Sequence, residues 1–309
     1  MSNTPVPPRG GKGRNQKGRP GSSQKGRAAR QARQRRNRLM IYGAVVVAVA
    51  VVVVVVVLAV GGSSSGSLRH PAPAADVQKI TNVPVATLTA ASGLANLYGA
   101  TNAASPSIKT LGSNGKPELL YIGAEFCPIC ATERWPMIVA LSHFGTFTNL
   151  QETHSAVTDG NIPTWSFYGS TYTSQYFTFR PVENETNTEK LLETPTSTEN
   201  QIWSTYFNGS QSFPFIDFDQ KFVLATEQYP DTTLEGHSFQ DILSAVGSND
   251  NTIGNYVDGA AAVFTKYLCN MDGNQPANVC TAVKNVPAAI SAQGSGGASS
   301  TPGGQTSGG

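Results

Sequence analysis

Residues Leu39 to Val60 run for 22 positions without a charged side chain, with an unbroken valine tract from Val51 to Val57. No other stretch limits the chain as much. At a rise of about 1.5 Å per residue, a helix of that length spans roughly the 30 Å hydrocarbon core of a bilayer. Lipid offers backbone groups no hydrogen-bond partner, so a single span must be helical, although valine is only a modest helix former in water. One transmembrane helix over 39–60 is the expectation. The competing reading, a cleaved signal peptide, calls for a shorter apolar core and a much shorter basic region before it.

Charge sets the orientation. Residues 1–38 hold twelve of the 22 Lys and Arg residues and no Asp or Glu. The segment is rich in Gly, Ser, Gln and Pro and has no apolar periodicity, so it reads as a disordered tail. A basic flank belongs on the cytoplasmic side, which puts everything after Gly61 outside. The formal net charge of +2 therefore hides an asymmetry: ten basic residues remain for the outer part, against all 20 acidic ones. The tail reads as a topology determinant able to touch anionic lipid headgroups. It has no aromatic side chain to stack on bases, and no nucleic-acid partner is expected. Residues 61–75, with Gly61-Gly62-Ser63-Ser64-Ser65-Gly66, read as a flexible linker, and residues 291–309 as a disordered tail. One extracytoplasmic domain over 76–290 remains, long enough for a sizeable core.

Within that domain the informative segment is Leu119-Leu120-Tyr121-Ile122-Gly123-Ala124-Glu125-Phe126-Cys127-Pro128-Ile129-Cys130. Leu119 to Ala124 is a continuous apolar run, the signature of a strand buried on both faces. The helix expected from Ala131 to Phe144 contains Pro136, which should kink it. Cysteines at i and i+3 on the first turn of a helix suit reversible thiol–disulfide chemistry. The free amides and positive end of the helix stabilise a thiolate at Cys127, and Cys130 lies one turn on. Residues so spaced have Cβ atoms about 5–6 Å apart, whereas a relaxed bridge wants about 3.5–4.5 Å, so the bridge forms under constraint. The alternatives are half of a zinc site and a purely structural short disulfide. Zinc needs two more ligands at workable spacing, and His70, His143, His154 and His237 form no paired motif, so no metal is expected.

Other elements follow from periodicity. Val83 to Leu97 has helical spacing weakened by Gly93, and Ile108 to Leu111 reads as a short strand. Phe147 to Gly160 is polar and carries no clear pattern. Trp165 to Tyr168 and Tyr176 to Phe179 read as strands, separated by a loop over Gly169–Ser174 that is a candidate rim of the active site. A helix is expected over Glu199–Phe207. Phe213–Phe218 and Lys221–Thr226, joined by Asp219-Gln220, read as a hairpin. Helices follow from Ser238 and over Ile253–Leu268. Strands and helices in this order imply a mixed α/β sheet covered by helices.

That order, the strand-to-helix cysteine segment, Pro136, and Phe213-Pro214-Phe215 at the head of the hairpin together resemble the thioredoxin-like superfamily, over about residues 84–268. Among its members the pattern looks like an uncharacterised family of membrane-anchored thioredoxin-fold proteins of bacteria and archaea. The resemblance implies an α/β fold with a thioredoxin-like mixed sheet flanked by helices, behind the N-terminal transmembrane helix. It implies a single-pass membrane thiol–disulfide oxidoreductase acting on protein thiols and disulfides of the cell envelope, without a cofactor, with Cys127 and Cys130 catalytic. Phe213 and Pro214 would form the cis-proline segment that holds a substrate chain, beside Phe126, which replaces the tryptophan usual before the first cysteine. Tyr121 stands where thioredoxin has a buried acid. The pair Pro128-Ile129 is neither the reductase nor the isomerase dipeptide, so oxidation, reduction and isomerisation all stay open. The alternative function is a non-enzymatic scaffold or partner-binding module.

Cys269 and Cys280 read as a structural disulfide closing a turn-rich loop in an oxidising compartment, with a second redox pair as the alternative. Glu125 reads as a solvated strand-end residue, with a proton-carrying role as the alternative. Trp135, Trp165 and Trp203 read as core, and His143 and His154 as ordinary histidines. Asn184-Glu185-Thr186 and Asn208-Gly209-Ser210 fit the glycan acceptor pattern, which is frequent by chance.

Overall fold

The structure, a computed structural model, describes residues 68–102, 112, 115–288 and 290–291. The basic tail 1–38, the span 39–60, the start of the linker, the strand expected at Ile108–Leu111 and the tail from 292 on lie outside the described residues. Among the described residues no helix is long and apolar enough to cross a membrane.

In chain order the elements are β1 (His70–Pro71), α1 (Ala74–Thr81), α2 (Val85–Ala91), β2 (Ala100–Asn102), β3 (Glu118–Gly123), α3 (Pro128–Leu141), β4 (Gly145–Thr148), β5 (Gln151–His154), β6 (Pro163–Ser166), β7 (Thr171–Ser174), β8 (Thr178–Glu183), α4 (Ser197–Tyr206), β9 (Phe215–Phe218), β10 (Phe222–Leu224), a 3-10 turn (Asp231–Thr233), α5 (Phe239–Ala245), α6 (Thr252–Asp272), α7 (Ala277–Ala282) and β11 (Ile290–Ser291).

The principal sheet has the order β11-β2-β10-β9-β3-β8. β8 lies parallel to β3 and β9 antiparallel to it, so the sheet is mixed. β3 shows why a continuous apolar run is needed. Leu119 and Tyr121 point into the large core with α3 and α6, while Leu120 and Ile122 point to the other face, against Ile202 and Trp203 of α4. Helices thus cover both faces of the sheet. β8 is an edge strand, which is where Pro181, lacking an amide proton, is tolerated. The β9–β10 hairpin turns through Asp219 and Gln220, both at positive φ (54° and 58°), without the glycine such a turn prefers. Trp135, Trp165 and Trp203 are buried, as their aromatic bulk implied.

Several local expectations are corrected. The linker reading fails from Leu68 onward: His70 and Pro71 pair with β5, and α1 begins at Ala74. The helix expected over Val83–Leu97 covers only Val85–Ala91, because Pro84 caps its start and Gly93 turns the chain at φ +86°. The segment Phe147–Gly160, which carries no clear pattern, holds the end of β4 and all of β5, with β5 paired to β6. The loop expected over Gly169–Ser174 is largely strand β7, paired to β4. Nor does it rim the cysteine end. Tyr172 donates its hydroxyl hydrogen bond to the carbonyl of Leu141, at the far end of α3, about 20 Å of helix from Cys127.

Candidate active site

β3 delivers the chain into a tight turn, Ala124 to Phe126, and α3 starts at Pro128 with Cys127 as its N-cap. Proline is suited to the first helical position, where no intrahelical bond is lost. The backbone N–H of Cys130 donates to the Cys127 sulfur at 3.2 Å, so the cap itself is a thiol. Cys127 is 6% exposed and Cys130 fully buried, and both are free thiols. A hydrogen bond from the Cys130 side chain, then backbone donors and the charge of Arg134, pull Cys127 below the ordinary thiol range against the opposing effect of burial. Burial pushes Cys130 well up, reinforced by its hydrogen bond to Cys127. Two like groups in one turn are thereby driven apart.

The pair is walled by apolar side chains. Phe126, Ile129 and Phe213 pack on Ala124, Cys127 and Cys130. Phe213 meets Phe126 edge-to-face at 6.0 Å and lies 5.2 Å from Trp203. The Phe213–Pro214 peptide bond is cis. Phe213 is therefore brought to the cysteines and to Phe126, although more than eighty residues separate it from them in sequence, and Pro214 follows it directly.

Beneath the turn lies a charged layer that the sequence did not advertise. Arg134, one turn after Cys130, is fully buried. Its Nε and Nη2 donate to the two oxygens of Glu183 at 2.9 and 2.6 Å, and Nη2 also donates to the Ala124 carbonyl at 2.8 Å. Burial works against the guanidinium charge, but Glu183 and Tyr121 outweigh it and Arg134 keeps its proton. Burial raises the Glu183 carboxyl, opposed by the guanidinium and by a hydrogen bond from the Phe167 N–H at 3.1 Å. Glu125, expected in solvent, is fully buried: Arg69 reaches it at 2.6 Å and Ser166 donates to it at 2.6 Å. Glu133 faces elsewhere, accepting from the Gln228 N–H, and burial pushes it up to about 8. The available signal was the pair Glu133-Arg134 in an otherwise apolar helix, with Arg134 at i+4 from Cys130 and i+7 from Cys127, on the inward face.

Cys269, in the last turns of α6, is bonded to Cys280 of α7 with a Cα–Cα distance of 5.6 Å. Among the described residues no group of three or more His, Cys, Asp or Glu side chains is placed to hold a metal ion.

Comparison with known families bears on this arrangement. A family profile described as a domain of unknown function, DUF929, matches residues 104–270, from before β3 into the last turn of α6. The chain belongs to the DUF929 family. The match includes both site cysteines, Arg134, Glu183, Phe213 and Pro214, as well as Cys269, but not Cys280. No curated protein matches the chain, and no solved structure does.

Proposed function

We propose that the chain is a thiol–disulfide oxidoreductase of thioredoxin-like architecture, anchored by residues 39–60 and acting outside the cytoplasmic membrane on protein disulfides and dithiols. One observation carries the reading. Two free thiols share the first turn of a buried helix, with the sulfur of one capping the helix and the two pushed in opposite directions of acidity. Groups with environments that split their acidities are the usual mark of an acid–base or nucleophile assignment. The surroundings support it too: β8 parallel to β3, the strand that leads into the cysteines, the antiparallel β9–β10 hairpin, and Phe213 against the cysteine cluster.

In the chemistry proposed, the Cys127 thiolate attacks a substrate disulfide. The substrate S–S bond breaks, one substrate sulfur leaves as thiolate, and a mixed disulfide forms. Cys130, losing its proton, attacks the Cys127 sulfur; the second substrate sulfur leaves with the electron pair and the Cys127–Cys130 bridge closes. Run in reverse, the bridge oxidises a dithiol. In an exchange assay with a disulfide-bonded protein, Cys127→Ser should be inactive; activity equal to the unaltered protein would sink the reading. Protease added to intact cells should digest the folded part, and full protection would overturn the orientation.

The near-complete burial of both sulfurs favours a second reading, a partner-binding module of the envelope. It requires a Cys127 thiol of ordinary acidity, near 8.5, and a bridge as hard to reduce as structural ones.

A further inference from the structure

Two buried polar atoms behind the cysteine pair have no hydrogen-bond partner among the described residues: Nη1 of Arg134 and the hydroxyl of Tyr121. Both lie at the strand-to-helix turn. The guanidinium is fixed there because Nη2 holds the Ala124 carbonyl and Glu183 takes the Nε–Nη2 edge. In such a side-on pair Nη1 is the far nitrogen, so its donors point away from Glu183. The tyrosine is fixed there by Gly123. A Cβ at that position would come within 2.0 Å of the Tyr121 hydroxyl, so the ring lies along the strand with its hydroxyl over a residue without a side chain. The guanidinium carbon is 5.9 Å from the centre of the Tyr121 ring. Buried donors without protein acceptors cost about 1–3 kcal/mol each, so a nearby sulfur that gains charge would be held by them.

We propose that the Nη1 donors of Arg134 and the hydroxyl of Tyr121 form a pocket that receives the negative charge on Cys130 when the Cys127–Cys130 bridge is opened. The inference rests on the redox reading of that pair and deepens it. When an incoming thiolate attacks Cys127, its sulfur bonds to the Cys127 sulfur and the Cys127–Cys130 bond breaks. The electron pair leaves on Cys130, which is fully buried and out of contact with bulk solvent. A charge-assisted hydrogen bond from a preplaced donor stabilises a developing anion far more in such a site than in solvent. The electrostatic reach of Arg134 to both sulfurs, which lowers both thiols, agrees with this placement. Tyr121 and Arg134 touch no substrate and are positioning residues for the leaving sulfur.

The test uses the oxidised full-length protein in detergent, opened by dithiothreitol at pH 7. Samples are quenched with acid and thiols counted by the gel shift of a maleimide–polyethylene glycol. Tyr121→Phe keeps the ring and removes only the donor. It should slow opening of the Cys127–Cys130 bridge about tenfold, the size of one lost hydrogen bond to a charged group. The double variant Arg134→Met/Glu183→Gln, which leaves no unpaired buried charge, should slow it further, and Arg134→Lys should fall between. The sign separates the pocket from mere packing, because a loosened core exposes the bridge and speeds its reduction. Opening as fast as in the unaltered protein, or faster, in Tyr121→Phe overturns the proposal. The assay needs no protein substrate. Slowed opening without turnover on protein disulfides would leave the pocket standing and remove the oxidoreductase reading, and the converse result would do the reverse.

Discussion

The leading cysteines of the two pairs, Cys127 and Cys269, lie at opposite ends of their helices. Cys127 caps the start of α3, where the amides and the helix dipole favour an anion, whereas Cys269 lies in the last turns of α6, where the dipole has the opposite sign and the Cys269 carbonyl accepts from Gly273 and Asn274. The first pair is three residues apart, unbonded, and backed by Arg134 and Tyr121. The second is eleven apart and bonded, and both its cysteines sit in the large apolar core. One residue type is set up for ionisation in one place and for linkage in the other. The difference lies in the backbone end and the nearby charge, not in burial, since all four sulfurs are buried.

The largest effect that would break this contrast is catalytic. Cys127→Ser should abolish protein disulfide exchange, by three orders of magnitude or more, on the order of the loss when an essential nucleophile is removed. Cys269→Ala/Cys280→Ala should keep the rate per folded molecule within about twofold. Exchange that depends on Cys269 and Cys280 would make the second pair a redox partner of the first. Next comes trapping. Cys130→Ser leaves the attacking thiol but removes the resolving one, so mixed disulfides through Cys127 should accumulate and appear on non-reducing gels. A gel showing no adduct beyond that of Cys127→Ser would deny Cys130 the resolving role.

Stability should reverse the ranking. Closing a loop of eleven residues restricts the unfolded chain by roughly 2–3 kcal/mol. Chemical denaturation of Cys269→Ala/Cys280→Ala should show a loss of about that size. The corresponding Cys127→Ala/Cys130→Ala change, in reduced protein, should cost about 1 kcal/mol or less, since it removes one hydrogen-bonded cap and a small volume. Equal losses would mean that both pairs serve as staples.

The sequence made the architecture near the site legible because its signals are local. The apolar run of β3, the cysteine spacing at the head of α3 and the β9–β10 hairpin each occupy fewer than fifteen consecutive residues. Strands β4, β5 and β7 escaped because short, mostly polar segments lack the apolar contrast that marks a strand. The charged layer escaped for a different reason. Whether Glu125 is solvated or buried is decided by Arg69 and Ser166, 56 and 41 residues away, and whether Arg134 lies inward is settled by Glu183, 49 residues on. A charge at a strand end reads as solvent-facing until a partner from a distant element closes over it. Residues whose partners are that far apart carry no local mark, and these are the ones that set the electrostatics of the pair.

The smallest predicted effect is a displaced titration, and it separates the two thiols of the first pair. In reduced protein the Cys127 ionisation lies below that of an ordinary thiol, chiefly because Cys130 donates a hydrogen bond to its sulfur. Alkylation by iodoacetamide tracks the thiolate, so its rate should level off on the acid side of 9, and Cys130, raised by burial, should add no second step there. Cys130→Ala removes the leading cause of the shift and should move the midpoint of Cys127 back toward the ordinary value. The sign for stability follows. A depressed thiol contributes stability that is fully present above its unfolded-state value and lost as pH falls through the folded one. The raised Cys130 acts oppositely, its contribution being lost as pH climbs past the unfolded-state value. Reduced protein should therefore gain stability from Cys127 as pH approaches 9 from below, and lose it through Cys130 beyond. The bonded Cys269 and Cys280 do not titrate and add nothing to either slope. A Cys127 midpoint that stays put in Cys130→Ala would assign the depression to the helix end and Arg134 alone, and would leave Cys130 as a leaving group with no part in activating its neighbour.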